Sequence, residues 1–205
     1  RPASKPVVNG EYAYWLRANN RAGEVDKPHS YTLEDIRAAT WDIVMAGGYV
    51  VAGFGSTYMG GNRHPTSFLP DDPRNEPWIQ EIGRVKSFFT SLPFETLEPH
   101  DEMVTSDVAR TGDRSGRMGV DRSIDKIQAP VTAYWCLADP GKCHVAYVRG
   151  VKGALTLSLG TSGQARAEQF DPRTGERTPL SVPQGTSYTY RPPDERDWIV
   201  VVWFD

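Results

Sequence analysis

The sequence has few of the residues that mark several common classes of protein. Its 205 residues include two cysteines and four histidines, and the net charge of the chain is −3 at neutral pH. Two cysteines are too few for a disulfide framework, and an acidic balance offers no basic surface to a nucleic acid. No apolar run approaches the roughly 20 residues that a membrane-spanning helix needs. We therefore expect a globular protein with neither a nucleic-acid partner nor a membrane partner.

Motifs for nucleotides and metals are also missing. The glycines between residues 53 and 61 lack the spacing of the dinucleotide fingerprint, and no phosphate-loop lysine accompanies them. His144 is the only histidine in the β-rich second half, and no spacing along the chain groups several metal ligands. The sequence therefore predicts no cofactor and no metal ion.

The two cysteines, Cys136 and Cys143, flank the turn sequence Asp-Pro-Gly-Lys at 139–142. A tight turn would place Ala138 opposite Cys143, with Cys136 as its diagonal neighbour on the same face of a hairpin. That geometry allows a disulfide without favouring one. We expect two free thiols.

The first half shows a strand–helix–strand–helix pattern. Short apolar runs at 7–8 and 49–56 are typical of buried parallel strands. Thr32 is the expected N-cap of the first helix, which stops at Gly47, and Pro77 opens a second helix that ends near residue 91. Two such units cannot close a barrel and would leave strand edges unpaired. We expect the missing strands to come from residues upstream of Arg1, from another chain or from the second half, and the chain to be a piece of a longer protein.

The candidate site follows the first strand. A carboxylate, Glu11, comes three residues after the apolar run and has aromatic residues next to it in the sequence, which indicates a sugar site at the carboxyl end of a strand. The alternative is a loop glutamate paired with a nearby arginine, and the rings are equally consistent with packing. The candidate substrate-binding residues are Tyr12, Trp15, Tyr58, His64 and Trp78.

The second half reads as all β. From Pro130 onward at least six short strands follow one another at the spacing of an antiparallel β-sandwich, and the apolar run at 199–204 is expected at its centre. Residues 99–128 are expected to be a linker, because glycines alternate there with charged residues. By itself this half predicts a structural or binding module, with a candidate binding face at Tyr134, Tyr188 and Tyr190.

Five segments of the sequence match a known family. Two lie in the first half, 5–14 (KPVVNGEYAY) and 47–61, and three in the second half, 134–138 (YWCLA), 170–176 (FDPRTGE) and 192–198 (PPDERDW). In these segments the chain resembles the C-terminal part of the apiosidase-like glycoside hydrolases, the first two in their barrel and the last three in their sandwich domain. The resemblance implies an α/β plus all-β fold. Residues 1–98 would be the last two βα units of a (β/α)8 barrel, followed by the linker and an antiparallel β-sandwich at 129–205, a domain named as collagen-binding in that family.

The resemblance also implies a function. Glu11 would be the nucleophile of a retaining glycosidase acting on side chains of plant or microbial polysaccharides or oligosaccharides, and the enzyme would be secreted or periplasmic. The acid/base would lie at the end of barrel strand four, before Arg1, so its partner would be the N-terminal barrel portion, in the same or another chain. The chain alone would then be inactive. The alternative is a non-catalytic module that binds a carbohydrate or a protein.

Overall fold

The chain forms two compact units. The computed structural model describes residues 6–9, 32–50, 73, 76–111, 132–181 and 183–204. The first unit comprises residues 1–91 and the second comprises residues 92–205. Neither helix within these described ranges has the length and apolarity needed to cross a membrane.

The first unit alternates strands and helices, as the sequence predicts. Strand β1 (Val8–Asn9) is followed by helix α1 (Leu33–Met45), strand β2 (Tyr49–Val50) and helix α2 (Glu76–Thr90). The two strands pair in parallel. Parallel strands need a crossover between them, and α1 lies in that connection.

Helix α1 begins where its sequence provides a capping box. The backbone N–H of Asp35 donates to the Thr32 hydroxyl at 3.1 Å, and the Thr32 N–H donates to the Asp35 carboxylate at 2.9 Å. Both groups satisfy donors that a helix start would otherwise leave open. The helix ends before Gly47, whose φ of 75° is readily adopted only by glycine.

The two helices pack through aromatic rings and a buried ion pair. The Trp41 ring of α1 lies 5.3 Å from the Phe88 ring and 5.5 Å from the Phe89 ring of α2, measured between centroids. Beside them, the Arg37 guanidinium of α1 lies 3.7 Å from the Glu81 carboxylate of α2, and both side chains are buried. A charge in an apolar interface needs such a partner.

The described residues of the second unit form two antiparallel sheets. Their strands are β3 Glu98–Pro99, β4 Val104–Ser106, β5 Ala133–Asp139, β6 Cys143–Arg149, β7 Leu155–Ser158, β8 Ala165–Phe170, β9 Arg177–Pro179, β10 Ser187–Tyr190 and β11 Trp198–Phe204. The larger sheet has the strand order β3-β5-β6-β11-β8-β9, and the smaller has the order β10-β7-β4. Single 3-10 turns at 94–96 and 101–103 flank β3.

Both sheets contribute to one hydrophobic core. Alternate residues of β11, among them Val200 and Val202, share this core with Leu155 and Leu157 of β7. The other face of β11 is buried as well, since Ile199 has no exposed surface. This two-sided burial explains why the run at 199–204 is almost wholly apolar, and β11 is central in its sheet, as expected.

The expected linker is partly a strand. Residues 104–106, which the sequence places in a linker at 99–128, form β4 and pair with β7, with Val104 opposite Leu157. Val104 is buried in the core. Three residues are too few to show a period-two pattern, so this strand could not be predicted from the sequence. The second unit begins at residue 92 and so includes part of the expected linker. Residues 112–131 lie outside the described residues.

The hairpin at 133–149 has a register one residue away from the expected one. Asp139 lies opposite Cys143 and Ala138 lies opposite His144, because the loop holds three residues rather than two. Gly141 turns this loop with a φ of 79°. A shift of one residue moves a side chain to the other face of a sheet. Cys136 and Cys143 therefore point to opposite faces, and both are free, buried thiols.

Candidate functional site

The sequence predicts the site at the carboxyl edge of the strand pair β1–β2. The Tyr49 N–H donates to the Val7 carbonyl at 2.8 Å, and Asn9 lies opposite Val50. Because the strands are parallel, the chain leaves both of them at the same edge. Glu11 follows Asn9 by two residues in the sequence. The predicted residues Glu11, Tyr12, Trp15, Tyr58 and His64 lie outside the described residues.

The apolar side chains of this strand pair are unusually exposed. Val7, Val8 and Tyr49 show 69%, 53% and 45% of their surface to solvent. In the described part of the first unit, β1 and β2 pair with each other and with no third strand. Parallel strands in folded proteins are normally covered on both faces.

Trp78 is the one predicted site residue whose position is described. It lies in the first turn of α2, is 6% exposed, and packs in a cluster with Ile36. A ring that stacks on a sugar must present a face to the ligand. The burial of Trp78 favours packing, the alternative that the sequence also allows.

The candidate binding face of the second unit is not at the surface. Tyr134, Tyr188 and Tyr190 are each at most 8% exposed and belong to the core between the two sheets. Tyr188 lies opposite Leu157 and Tyr190 opposite Leu155, so the period of the strand places both rings on the core face. The prediction of a tyrosine binding face is wrong, because alternation shows which residues share a face but not which face is covered.

A compact charged cluster lies where two sequence signatures meet. The Arg173 guanidinium donates to both carboxylate oxygens of Asp171 at 2.7 Å, and it lies 4.5 Å from the centroid of the Trp198 ring. The Trp198 indole N–H donates to Asp194 at 2.8 Å, and Asp194 also accepts from the Arg196 side chain at 2.7 Å. The FDPRTGE and PPDERDW segments therefore form one structural cluster.

The charges of this cluster are set by its hydrogen bonds. Burial acts to raise the pKa of Asp194, but hydrogen bonds from Arg196 and Trp198 outweigh it and lower that pKa to about 2. Burial likewise acts to raise the pKa of Asp171, but hydrogen bonds from the side chain and backbone of Arg173 outweigh it and hold that pKa below its usual value. Both carboxylates are ionised at neutral pH and already saturated with donors. This arrangement suits structural support better than acid–base chemistry, which needs a pKa near the working pH.

Sequence reasoning missed the stacking of Arg173 on Trp198. The available signal was the charge pattern: an Asp-Pro-Arg turn and an Asp-Trp turn carry complementary groups far apart in the chain. Among the described residues, no group of three or more His, Cys, Asp or Glu side chains is placed to hold a metal ion.

Comparison with known proteins gives matches in structure. No family model matches the sequence, and no curated protein matches it. A solved structure described as a glycoside hydrolase matches with a TM-score of 0.69 and 14% identity, over 98% of this chain and 43% of that protein. A glycoside hydrolase family 5 protein from Bacteroides vulgatus matches with a TM-score of 0.65 and 14% identity, over 98% of this chain and 42% of that protein.

The chain thus shares its fold with part of two glycoside hydrolases. It spans less than half the length of either structure. At this level of identity the likeness concerns the fold alone.

Proposed function

We propose that this chain is the C-terminal portion of a retaining glycoside hydrolase of the apiosidase-like kind, with Glu11 as its nucleophile. The first unit, residues 1–91, supplies the last two βα units of a (β/α)8 barrel, and the two antiparallel sheets of the second unit form its β-sandwich domain. The substrate is a side chain of a plant or microbial polysaccharide or oligosaccharide, and the enzyme acts outside the cytoplasm, in the periplasm or after secretion.

The parallel register of β1 and β2 carries this proposal. It directs Asn9 and Val50 to one edge of the sheet, and in barrels of alternating strands and helices this edge carries the catalytic residues. Glu11 is the first carboxylate after β1. The fold likeness to two glycoside hydrolases over 98% of the chain supports the same reading.

The proposed reaction uses two carboxyl groups about 5 Å apart. The Glu11 carboxylate attacks the anomeric carbon while the bond from that carbon to the leaving oxygen breaks, and an acid protonates this oxygen. Water then hydrolyses the glycosyl ester, and the deprotonated acid serves as the base. Tyr12 or Tyr58 would hydrogen-bond the nucleophile, His64 would line the pocket, and Trp15 would stack on the sugar. The acid/base residue belongs to barrel strand four, which this chain does not supply.

The proposed partner is therefore the rest of the barrel, in the same polypeptide or in another. The exposed side chains of Val7, Val8 and Tyr49 support this partner, because added parallel strands and their helices would cover them. The chain alone is expected to be inactive.

A pair of matched substitutions in the complete enzyme tests the nucleophile. Glu11→Gln keeps the shape of the side chain and removes the attacking charge, so kcat/KM for aryl glycosides should fall by about a thousandfold or more. Glu34→Gln in the first turn of α1 is the control and should leave kcat/KM within about twofold. Turnover of the Glu11→Gln variant within tenfold of the parent would refute the assignment.

Rescue by azide separates the nucleophile from other essential carboxylates. In a Glu11→Ala variant, azide can enter the vacated space and attack the anomeric carbon, while an activated aryl oxide leaves. The expected product is a glycosyl azide of inverted configuration, because one displacement replaces two. A glycosyl azide of retained configuration would instead identify Glu11 as the acid/base.

A further inference from the structure

His144 occupies an unusual place for an ionisable side chain. It lies on β6 with no exposed surface, and neither of its ring nitrogens has a hydrogen-bond partner among the residues that the structure describes. It lies opposite Ala138 of β5 and Val202 of β11, both of which belong to the core between the two sheets. The Phe204 ring packs against it edge-on, with 6.0 Å between centroids.

The groups around His144 offer little compensation for a positive charge. Two neighbouring titratable side chains act on it: His100, beside β3, opposes protonation and Asp139, at the end of β5, favours it. The other titratable groups of the described core are the thiol of Cys136 and the hydroxyls of Tyr134, Tyr188 and Tyr190. Burial raises the pKa of the Cys136 thiol to about 12, so this neighbour stays neutral.

We propose that His144 makes the second unit sensitive to acid: the core holds the neutral imidazole, and protonation of this ring opens the sheet around it. An imidazolium carries two donors, and the described core offers neither of them an acceptor. Burying an unpaired charge destabilises the folded state by far more free energy than the packing of one ring contributes to it. The inference stands apart from the proposed glycosidase activity.

The direction of the pH dependence follows from linkage. Burial lowers the pKa of His144 in the folded chain below its ordinary value of 6.5, with His100 adding to this effect and Asp139 opposing it. The unfolded chain therefore takes up the proton first as the pH falls. The contribution of the neutral ring to stability is complete above about pH 7.5 and is lost as the pH falls through 6.5 and below.

The two cysteines provide a specific probe for this opening. They are the only thiols in the chain, both lie in the second unit, and both are buried. The rate at which a dithiodipyridine reagent labels them in the full chain, divided by the rate in denatured chain at the same pH, gives the open fraction. Between pH 7.5 and pH 5 this fraction should rise severalfold, up to a limit of about thirtyfold that is reached if the folded ring is still neutral at pH 5.

Three variants distinguish His144 from other acid-sensitive groups. His144→Gln and His144→Leu remove the titration, and the pH dependence should vanish in whichever variant folds, whatever its stability at pH 7.5. His100→Gln should keep most of the dependence. A flat open fraction in the parent chain, or an unchanged slope in both His144 variants, would overturn the proposal.

Discussion

At the scale of single residues, Arg173 joins two turns that are distant in the sequence. Its side chain and that of Asp171 are each 14% exposed, and the two groups meet in a two-pronged contact over the Trp198 ring. Removing the arginine from such a pair leaves the carboxylate of Asp171 poorly solvated and without its ion-pair partner. Arg173 therefore contributes more to the second unit than its position in a turn suggests.

Substitution of Arg173 should destabilise the second unit markedly. We expect Arg173→Ala to lower the free energy of unfolding by about 2–4 kcal/mol and Arg173→Lys by about 1–2 kcal/mol, since lysine keeps the charge but not the planar fork. Arg196→Ala is the control: its side chain is 66% exposed, so the loss should stay below about 1 kcal/mol. Chemical denaturation, monitored by the exposure of the two thiols, measures the free energy of unfolding of all three variants. Equal losses of stability in Arg173→Ala and Arg196→Ala would contradict this account.

The two cysteines illustrate how burial controls reactivity. Burial raises the pKa of both Cys136 and Cys143 to about 12, so almost no thiolate forms at neutral pH. We expect the native chain to show no rapidly reacting thiol with a dithiodipyridine reagent at pH 7.5, and two after denaturation. A disulfide detected by intact mass, or one thiol that reacts within seconds in the native chain, would be inconsistent with the structure.

At the scale of elements, the sequence predicts best those features that have a local cause. The Thr32 cap, the stop at Gly47 and the strand at 198–204 all depend on neighbouring residues, and all are observed. The predicted register of the hairpin at 133–149 differs from the observed one by one residue. The register depends on the loop length, which the sequence Asp-Pro-Gly-Lys alone does not determine. Strand β4 was missed because only its partner β7 makes it a strand.

The strand pair β1–β2 leads to a prediction that tests the proposed neighbouring strands. In the 205-residue chain Val8 is half exposed, so Val8→Ala should change the free energy of unfolding by less than about 0.5 kcal/mol. In the complete polypeptide added strands would bury Val8, and the same substitution should cost about 1–3 kcal/mol.

Ile79 provides the matched control for this comparison. It is 39% exposed on α2, a helix expected on the outside of the barrel, so Ile79→Ala should have a small effect in both polypeptides. Equal and small effects of Val8→Ala in both would argue against a barrel completed at this edge.

At the scale of the whole molecule, the chain combines an alternating α/β unit with an antiparallel β unit. The sequence predicts this combination from periodicity, because parallel strands read as short apolar runs and the later strands alternate. The predicted tyrosine binding face could not be tested by periodicity in the same way. Which face of a sheet is covered depends on the other sheet, so Tyr134, Tyr188 and Tyr190 could not be assigned to the core from the sequence.

The candidate site shows the same limit. Glu11 and its aromatic neighbours are recognisable as residue types, and the parallel register of β1 and β2 supports their placement at one edge. Trp78 belongs to a helix whose apolar face packs on α1, and its burial could be seen only once both helices were in place. Long-range packing, rather than local pattern, separates a stacking ring from a core ring.

Covalent trapping tests the central claim most directly. The complete enzyme is incubated with an activated 2-deoxy-2-fluoro glycoside of the sugar it hydrolyses, digested with trypsin and analysed by mass spectrometry. A retaining enzyme should accumulate a glycosyl ester, because the fluorine slows its hydrolysis. We predict the label on Glu11, in the peptide that ends at Arg17. A label on any other carboxylate, or full inactivation without a label on this peptide, would contradict the account.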